Sequence, residues 1–355
     1  MTFLYIILFL TVLSVSTPFI LKLQYPHKIN WKEVILSIVV SLLISGISVA
    51  LSVGNIYNTE LLHGQVVNKQ RVKTSCEHSY SCNCRTTTNS NGNSSTTCDT
   101  CYEHSHDYDW TVYTTVGNID IVRIDRRGDN EPPRFSKVEI GEPASKESWY
   151  VDYIKGSYSV FNIQDNPVDH PFKHIIPRYP NVNDYYNTNL VLSTHRIPSD
   201  IKRLINDGLR DSLRSLGRKR QVNAVVVITD KDQSFGEFLR NEWNNGRKND
   251  AIIVIGVNKE NEILWSFVFG WSENKLFDIQ LRNELNDIVS ITNTTEIVTT
   301  ITNNIDKYFT RQSMSDFKYL LYERDVSGWM ILFILFLQLG ANIGISVFNY
   351  KHNLR

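Results

Sequence analysis

The chain has 355 residues, which is long enough for one or two domains with buried cores. Its 37 basic residues balance its 37 acidic residues, so the formal net charge is zero. A nucleic-acid-binding protein needs a marked basic excess or a basic stripe, and this balance therefore argues against nucleic acid as a partner. The apolar fraction of 42% is ordinary in size but unevenly distributed along the chain.

Three apolar segments contain no charged residue: Phe3–Leu21, Val34–Ile56 and Gly328–Tyr350. About 20 residues of helix cross the ~30 Å hydrocarbon core of a bilayer, and a buried soluble helix would show a polar stripe. We therefore predict three transmembrane helices. The first segment also lies where a signal peptide would, and Ser14 and Ser16 resemble a cleavage motif. The segment lacks a basic n-region, however, which favours a retained helix over a cleaved one.

The basic residues beside the apolar segments predict the orientation in the membrane. The loop between the first two segments carries Lys22, Lys28 and Lys32, and the chain ends with Lys351 and Arg355. The positive-inside rule places both clusters in the cytoplasm. The N-terminus and residues 57–327 are then extracytoplasmic, and the C-terminus is cytoplasmic.

Small residues recur at four-residue spacing on two of the predicted spans. They are Gly46, Ala50 and Gly54 on the second, and Gly340 and Gly344 on the third. This spacing lets helix backbones approach closely, either within one chain or in a homo-oligomer. None of the spans contains an acid or a base, which argues against an ion or proton pathway.

The segment after the second span is rich in Thr, Ser, Asn and Tyr and is predicted to be a small β-rich module. Residues Trp110–Arg127 alternate apolar and polar side chains and predict two strands around Gly117. Residues Phe135–Glu142 and Ser148–Gly156 predict two further short strands. A stretch rich in proline and aromatic residues, 161–198, is predicted to be an extended linker.

Four of the five cysteines form a C-x-C and a C-x-x-C pair inside the β-rich module. As thiolates, Cys82, Cys84, Cys98 and Cys101 would bind a structural zinc ion. Four neighbouring residues are alternative ligands: Cys76, His78, His104 and His106. In an oxidising compartment the four cysteines would instead form two disulfides across the loop. The odd cysteine count mildly favours metal, or one free or intermolecular thiol. The sequence leaves zinc and disulfides open, and both have a structural role.

From Ser199 onward, helix and strand patterns alternate and predict a layered α/β domain with a central sheet. The first helix is predicted from Ser199 to a C-terminal Gly217. Continuous apolar runs predict buried strands at Val222–Asp230, Asp250–Asn258 and Ile263–Trp271. Three further helices are predicted, at Ser234–Asn245, Leu276–Val289 and residues 295–311.

The predicted fold class is an α+β membrane protein with three transmembrane helices, a cysteine-stapled β module and an α/β domain. The predicted segments are the first helix and cytoplasmic loop (1–33), the second helix (34–56), the β-rich module (57–160), the linker (161–198), the α/β domain (199–311), a juxtamembrane segment (312–327), the third helix (328–350) and the tail (351–355).

The α/β part, residues 199–309, resembles the TPM domain family. The matching features are a first strand at Val222–Ile228, a helix that starts near Ser234 and an inner Trp243. A Gly246-Arg247-Lys248 turn follows, then Asn249-Asp250-Ala251 before the second strand. The family's glycine-aromatic-glycine appears as Gly270-Trp271-Ser272, without the second glycine. The resemblance implies a membrane-tethered extracytoplasmic domain, and some family members are acid phosphatases or bind divalent cations.

The whole chain looks like a class of membrane proteins of large tailed bacteriophages. The similar residues are Cys82-Asn83-Cys84, Cys101-Tyr102-Glu103-His104 with Asp109-Trp110, and Arg220-Gln221-Val222-Asn223-Ala224. This resemblance implies a location in the bacterial inner (cytoplasmic) membrane with the large segment in the periplasm, and it implies no particular activity.

These patterns predict a membrane-anchored binding or scaffold protein whose partner is another envelope protein, or the cell-wall side of a phage lysis or exclusion system. The alternative is a metal-dependent phosphatase on the TPM-like domain. Its weak cation-site candidates are acids expected at the carboxyl edge of the sheet: Asp230, Asp232, Asp250 and Glu273. The chain contains no P-loop, Gly-x-Ser-x-Gly or His-Glu-x-x-His motif, so the sequence names no catalytic residue and favours a non-enzymatic role.

Overall fold

The structure is a computed structural model that describes residues 2–24, 26, 30–54, 56–89, 94–155, 157, 159, 161, 169–183, 187–323 and 328–351. Lys28, Arg355 and parts of the predicted linker and juxtamembrane segment lie outside the described residues. The chain divides into two compact units. A helical unit comprises Met1–Thr59, Trp149–Asp165 and Ser313–Arg355, and a mixed unit comprises Glu60–Ser148 and Asn166–Gln312.

The described elements are numbered in chain order. The helices are α1 (Thr2–Gln24), α2 (Trp31–Gly54), α3 (Pro133–Ser136), α4 (Ser199–Arg220), α5 (Ser234–Glu242), α6 (Leu276–Asn286), α7 (Thr294–Tyr308) and α8 (Gly328–Lys351), with a 3-10 helix at Met314–Glu323. The strands are β1 (Tyr57–Thr74), β2 (Ser79–Thr88), β3 (Ser94–Tyr102), β4 (Asp107–Thr114), β5 (Ile119–Ile121), β6 (Pro143–Val151), β7 (Val182–Asn183), β8 (Asn187–Thr188), β9 (Val191–Ser193), β10 (Asn223–Thr229), β11 (Asp250–Val257) and β12 (Ile263–Gly270).

The helical unit contains three helices, α1, α2 and α8, that are long and apolar enough to cross a membrane. Their most apolar stretches are Ile7–Gln24, Trp31–Ser48 and Ile331–Phe348. The prediction of three long apolar helices is therefore confirmed. Many of their large side chains are exposed, including Phe9, Leu43 and Phe336.

These three helices contact one another through a buried polar seam. Asn342 on α8 donates hydrogen bonds from Nδ2 to Ser14 Oγ (2.9 Å) and Ser41 Oγ (3.3 Å). Gln338, one turn away, donates from Nε2 to Ser45 Oγ (2.8 Å). Polar side chains of this kind join apolar helices because an unpaired polar group in hydrocarbon is costly. The seam consists of Thr11, Ser14, Ser41, Ser45, Gln338 and Asn342.

The small residues of the predicted packing motif lie apart from this seam. A Cβ atom added at Gly46, Gly340 or Gly344 would meet no atom within 4 Å, and Ala50 is exposed. Gly54 ends α2. Contact between the helices of one chain therefore includes hydroxyl and amide side chains together with buried apolar ones such as Ile7, Val34 and Ile334, and the glycines leave open surface.

The mixed unit begins with a four-stranded sheet in the order β5-β4-β1-β6. Its core is formed by Val66, Trp110, Val112 and Phe135, with further residues of β5 and β6. The strands β4 and β5 flank Gly117 as predicted. The predicted strand at Phe135–Glu142 is wrong: this segment begins inside the short helix α3 and continues as turns. Pro133 at its first helical position explains the difference, because proline favours a helix start.

A two-stranded hairpin, β2 paired with β3, extends the first sheet region. The sequence predicted a polar loop here, but its Thr and Ser residues form an antiparallel ladder from Ser79↔Tyr102 to Thr88↔Ser94. Hydroxyl groups pair across the strands, as between Thr86 and Thr96 (3.0 Å). Cross-strand pairs of this type stabilise sheets even where no apolar face is buried.

The second sheet of the mixed unit has the order β12-β11-β10-β9, with β9, β10 and β11 parallel and β12 antiparallel. The predicted strands and helices of this part are confirmed to within a few residues, but β9 lies within residues 161–198, which were predicted to be a linker, and it pairs with β10 in the sheet. Ala224, Val226 and Ile228 pack on one face against α4, α6 and α7. Val225 and Val227 pack on the other face with α5. Both faces are covered, which explains the unbroken apolar runs.

Helix α4 extends beyond the glycine at which the sequence predicted its end. It continues to Arg220, and Gln221 adopts the left-handed conformation that closes it. Gly217 instead lies in contact with β1, where an added Cβ would overlap the carbonyl oxygen of His63 and lie 2.7 Å from its Cβ. The glycine therefore serves the close approach of β1 and α4.

We predict that Gly217→Ala destabilises the protein by about 1–3 kcal/mol, the usual cost of overpacking a close contact. In a helix interior without such a contact, the same change would stabilise the protein by about 0.5–1 kcal/mol. The sign of the change in unfolding free energy therefore tests whether the contact exists. Ser215→Ala, on the exposed face of α4, is the matched control and should be near neutral. Urea unfolding of the full chain in mild detergent measures both, and a stabilised Gly217→Ala would contradict the contact.

Candidate functional site

The hairpin carries both cysteine pairs. Cys82 lies at disulfide distance from Cys101, and Cys84 from Cys98, with Cα atoms 5.8 Å and 3.9 Å apart. This is the cross-loop pairing of the disulfide alternative. In this arrangement the four sulfurs form two covalent pairs, and none of them is a thiolate ligand. The pairs join β2 to β3 at two levels and hold their register.

The hairpin joins the first sheet at an interruption between two ladders. The β1–β4 ladder ends at Thr74↔Asp107, and the β2–β3 ladder starts at Ser79↔Tyr102. Each strand has the same number of residues in between, 75–78 on one side and 103–106 on the other. One backbone hydrogen bond crosses the interruption, from the Glu103 amide to the His78 carbonyl (3.0 Å). The two ladders therefore stay in register across it.

Three side chains with metal-binding atoms meet at this interruption. Cys76 Sγ lies 3.8 Å from His104 Nδ1, which lies 3.4 Å from Asp107 Oδ1, and the three atoms are all within 4.8 Å of one another. Cys76 and Asp107 are buried, and His104 is partly exposed. We call these residues the Cys–His–Asp cluster.

The carboxylate of Asp107 is fully buried and fixed from one side. Its Oδ2 accepts hydrogen bonds from the Glu77 amide (3.0 Å) and from Arg123 Nη1 (3.3 Å). The Glu77 amide, and after it the Arg123 guanidinium, hold the pKa of Asp107 below its usual range against the opposing effect of burial. Its Oδ1, which faces His104, accepts no hydrogen bond within the described part of the chain.

The structure brings together only two of the four alternative ligands, Cys76 and His104. His78 bonds through Nε2 to the carbonyl of Arg126 (3.0 Å). His106 bonds to the hydroxyls of Ser105 (2.8 Å) and Tyr108 (3.0 Å). The sequence did not identify Asp107, because its role depends on the pairing of β1 with β4 rather than on spacing to a cysteine.

The four acids of the predicted cation site lie at two opposite edges of the second sheet. Asp230 and Asp232 follow β10, at the carboxyl edge of the parallel strands. Asp250 begins β11, and Glu273 follows the antiparallel β12, so both lie at the other edge. The prediction that all four acids lie at the carboxyl ends of the parallel strands is therefore wrong for Asp250 and Glu273.

Asp250 belongs to a buried polar chain instead. Its carboxylate accepts hydrogen bonds from Tyr179 Oη, the Arg247 amide (2.7 Å) and Asn223 Nδ2 (2.8 Å). Asn223 Oδ1 bonds to His63 Nε2 (2.8 Å), whose Nδ1 bonds to Ser145 Oγ (2.8 Å). Burial raises the pKa of Asp250 and lowers that of His63 to about 4. Both oxygens of Asp250 are occupied, so the residue serves packing between β1, β6, β10 and β11.

No protein-family model, curated protein or solved structure matches this chain. What the protein does therefore has to follow from its own residues and their geometry.

Proposed function

We propose that the chain is a membrane-anchored binding or scaffold protein whose residues from about 57 to 327 lie outside the cytoplasm. The observation that carries this proposal is the pair of cross-strand cysteine contacts at disulfide distance in the hairpin. Disulfides form and persist in oxidising compartments and are rare in the cytosol. A chain that is anchored by its three apolar helices and exposes the hairpin outside the cytoplasm accounts for both the helices and the cysteine pairs.

The charge distribution supports the same orientation. Lys22 and Lys32 lie at the facing ends of α1 and α2, and Lys351 ends α8. Placing these ends in the cytoplasm puts the whole segment between α2 and α8 on the outer side of the membrane. Two further statements stay predictions from the sequence resemblance. They are that the chain is inserted in the lipid of a bacterial inner membrane, and that it is encoded by a large tailed phage.

The β2–β3 hairpin is the surface we propose for an envelope-protein partner. Almost all of its residues are exposed, including the aromatic rings of Tyr80 and Tyr102 near its base. The hairpin pairs with no further described strand, so its strand edges are available for strand addition. A covalently fixed hairpin loses little conformational entropy on binding, which favours affinity.

The TPM resemblance is kept as a proposal for the α/β part. A sheet of three parallel strands and one antiparallel strand, with α4, α6 and α7 on one face and α5 on the other, supports it. The phosphatase alternative stays a prediction. Assay of the full chain on a phosphomonoester, with Asp230→Asn and Asp232→Asn as variants, tests it, because these two acids share the carboxyl end of β10, and activity lost in both variants would favour the enzyme.

Homo-oligomerisation through the glycines of α2 and α8 also stays a prediction. The open space around Gly46, Gly340 and Gly344 supports it, because a second helix would find no side chain in its way.

Thiol labelling in intact cells tests the proposed location. We expect the hairpin cysteines to react with a membrane-impermeant maleimide only after treatment with a membrane-impermeant reductant. A Lys32→Cys variant, in the loop-facing end of α2, should stay unlabelled until the membrane is permeabilised. The opposite pattern, with Lys32→Cys labelled in intact cells and the hairpin protected, would overturn the orientation.

A further inference from the structure

We propose that Cys76, His104 and Asp107 bind one divalent transition-metal ion, with zinc as the best match. This site goes beyond the proposed anchoring and binding role, and it differs from the four-cysteine zinc site that the sequence suggested. Its ligands lie at the base of the hairpin, where the two ladders are interrupted.

The ligand set and its spacing fit such an ion. Zinc binds cysteine, histidine and carboxylate ligands at about 2.0–2.3 Å in tetrahedral geometry. Around a tetrahedral ion with such bonds, neighbouring ligand atoms are separated by roughly 1.6 bond lengths. The observed 3.8 Å between Cys76 Sγ and His104 Nδ1, and 3.4 Å between His104 Nδ1 and Asp107 Oδ1, match that separation. A thiolate and an imidazole select zinc, cobalt or copper over magnesium and calcium.

The buried oxygen of Asp107 is the second, independent observation. Asp107 is 0% exposed, and within the described residues its Oδ1 accepts no hydrogen bond of normal geometry: His104 Nδ1 lies 3.4 Å away and pairs with it only when protonated, and the Cys76 thiol is the other group that interacts with the carboxylate on this side. A buried carboxylate oxygen without a partner costs free energy, and native proteins leave few such atoms. A cation among the three atoms would satisfy it.

The surroundings hold the carboxylate in the position that a ligand needs. The Glu77 amide and Arg123 bind Oδ2 and so direct Oδ1 toward Cys76 and His104. The positive charge of Arg123 is offset by Asp109, whose Oδ1 accepts from Arg123 Nε at 2.9 Å. The site can therefore hold a metal without leaving an unpaired arginine beside it.

The fold supplies three protein ligands and leaves a fourth position. Among the three, His104 is the ligand with an exposed side, and a water molecule or a partner's side chain would enter there. The hairpin disulfides hold β3, which precedes His104, against β2, which follows Cys76. The metal would then fix the angle of the hairpin relative to the first sheet.

Cobalt binding by the full chain tests this site. The protein is kept in mild detergent without reductant, so that the hairpin sulfurs stay paired and thiol titration finds one free cysteine. We expect one equivalent of Co²⁺ to bind with a thiolate-to-cobalt charge-transfer band, and Zn²⁺ to displace it. Cys76→Ser should abolish the band, and His104→Gln should weaken binding at least tenfold. The matched control His106→Gln should bind as the wild type does.

Several outcomes would overturn the site. They are the absence of the charge-transfer band at saturating Co²⁺, a band that survives in Cys76→Ser, and equal weakening by His104→Gln and His106→Gln. Circular dichroism checks that each variant is folded. If Cys76→Ser does not fold, His104→Gln decides the question, because wild-type affinity in that folded variant rejects the site.

Discussion

Replacing Asn223 with alanine is expected to lower the free energy of unfolding by about 2–6 kcal/mol, because it leaves two buried polar atoms unpaired, each at a cost of about 1–3 kcal/mol. Asn223 is fully buried and connects His63 Nε2 to Asp250 Oδ1 through its two amide atoms. Alanine supplies neither the donor nor the acceptor at this fully buried position.

The measurement is a urea titration of the full chain in mild detergent, followed by tryptophan fluorescence. Asn283→Ala is the matched control, because it removes the same side chain from the exposed face of α6. It should change stability by a few tenths of a kcal/mol at most, in either direction. A loss below about 1 kcal/mol for Asn223→Ala would mean that the polar chain is not as closed to water as the structure has it.

The α/β part was predictable from the sequence because the buried side chains of its strands and helices form regular apolar patterns along the chain. The runs at β10 and β11 are apolar on both faces, and α4 and α7 each have one apolar stripe. Such patterns specify element type without knowledge of partners. The same reasoning identified the three apolar helices, whose length and lack of charge are sufficient evidence in themselves.

The hairpin was not predictable in the same way. Its strands are almost entirely exposed and composed of Ser, Thr and Cys, so neither alternation nor an apolar run marks them. Their pairing depends on cross-strand hydroxyl contacts and on the disulfide partners. From the sequence, the disulfides were predicted only as an alternative to zinc, and the hydroxyl contacts were not predicted. Residues 90–93, between β2 and β3, lie outside the described residues.

The Cys–His–Asp cluster depends on register, which spacing along the chain does not reveal. Cys76 and Asp107 are 31 positions apart and become neighbours only because Thr74 pairs with Asp107. The role of His63 was missed, and Gly217 was wrongly predicted to end a helix, for the same reason: their roles come from the approach of β1 to α4 and β10. Residues that act between elements require the topology to be known first.

Acidification should destabilise the protein through His63. Burial, followed by a nearby Arg210, lowers the pKa of His63 from 6.5 to about 4, although the hydrogen bond to Asn223 raises it. Between these two values the unfolded chain binds a proton that the folded chain does not. The contribution of His63 to stability is therefore complete above pH 6.5 and is lost as the pH falls toward 4. At 1.36 kcal/mol for each pKa unit, the loss is about 3 kcal/mol.

Asp250 works in the opposite direction, so the two groups have to be separated. Burial raises the pKa of Asp250, and its contribution is present at low pH and is lost as the pH rises through the folded-state pKa. The informative quantity is thus the difference between the wild type and His63→Gln, because Asp250 is present in both. Glutamine keeps a donor and an acceptor but does not titrate.

We expect urea titrations between pH 7 and pH 4 to show the wild type losing about 3 kcal/mol more than His63→Gln over this range. His174→Gln removes an exposed histidine instead and should leave the wild-type pH dependence in place. Parallel curves for the wild type and His63→Gln would show that His63 is hydrated in the folded chain. Such a result would also remove the reason to expect a large effect of Asn223→Ala, because the two residues share one buried hydrogen bond. The pH titration and the alanine substitution therefore test the same closed contact between β1 and β10 by independent means.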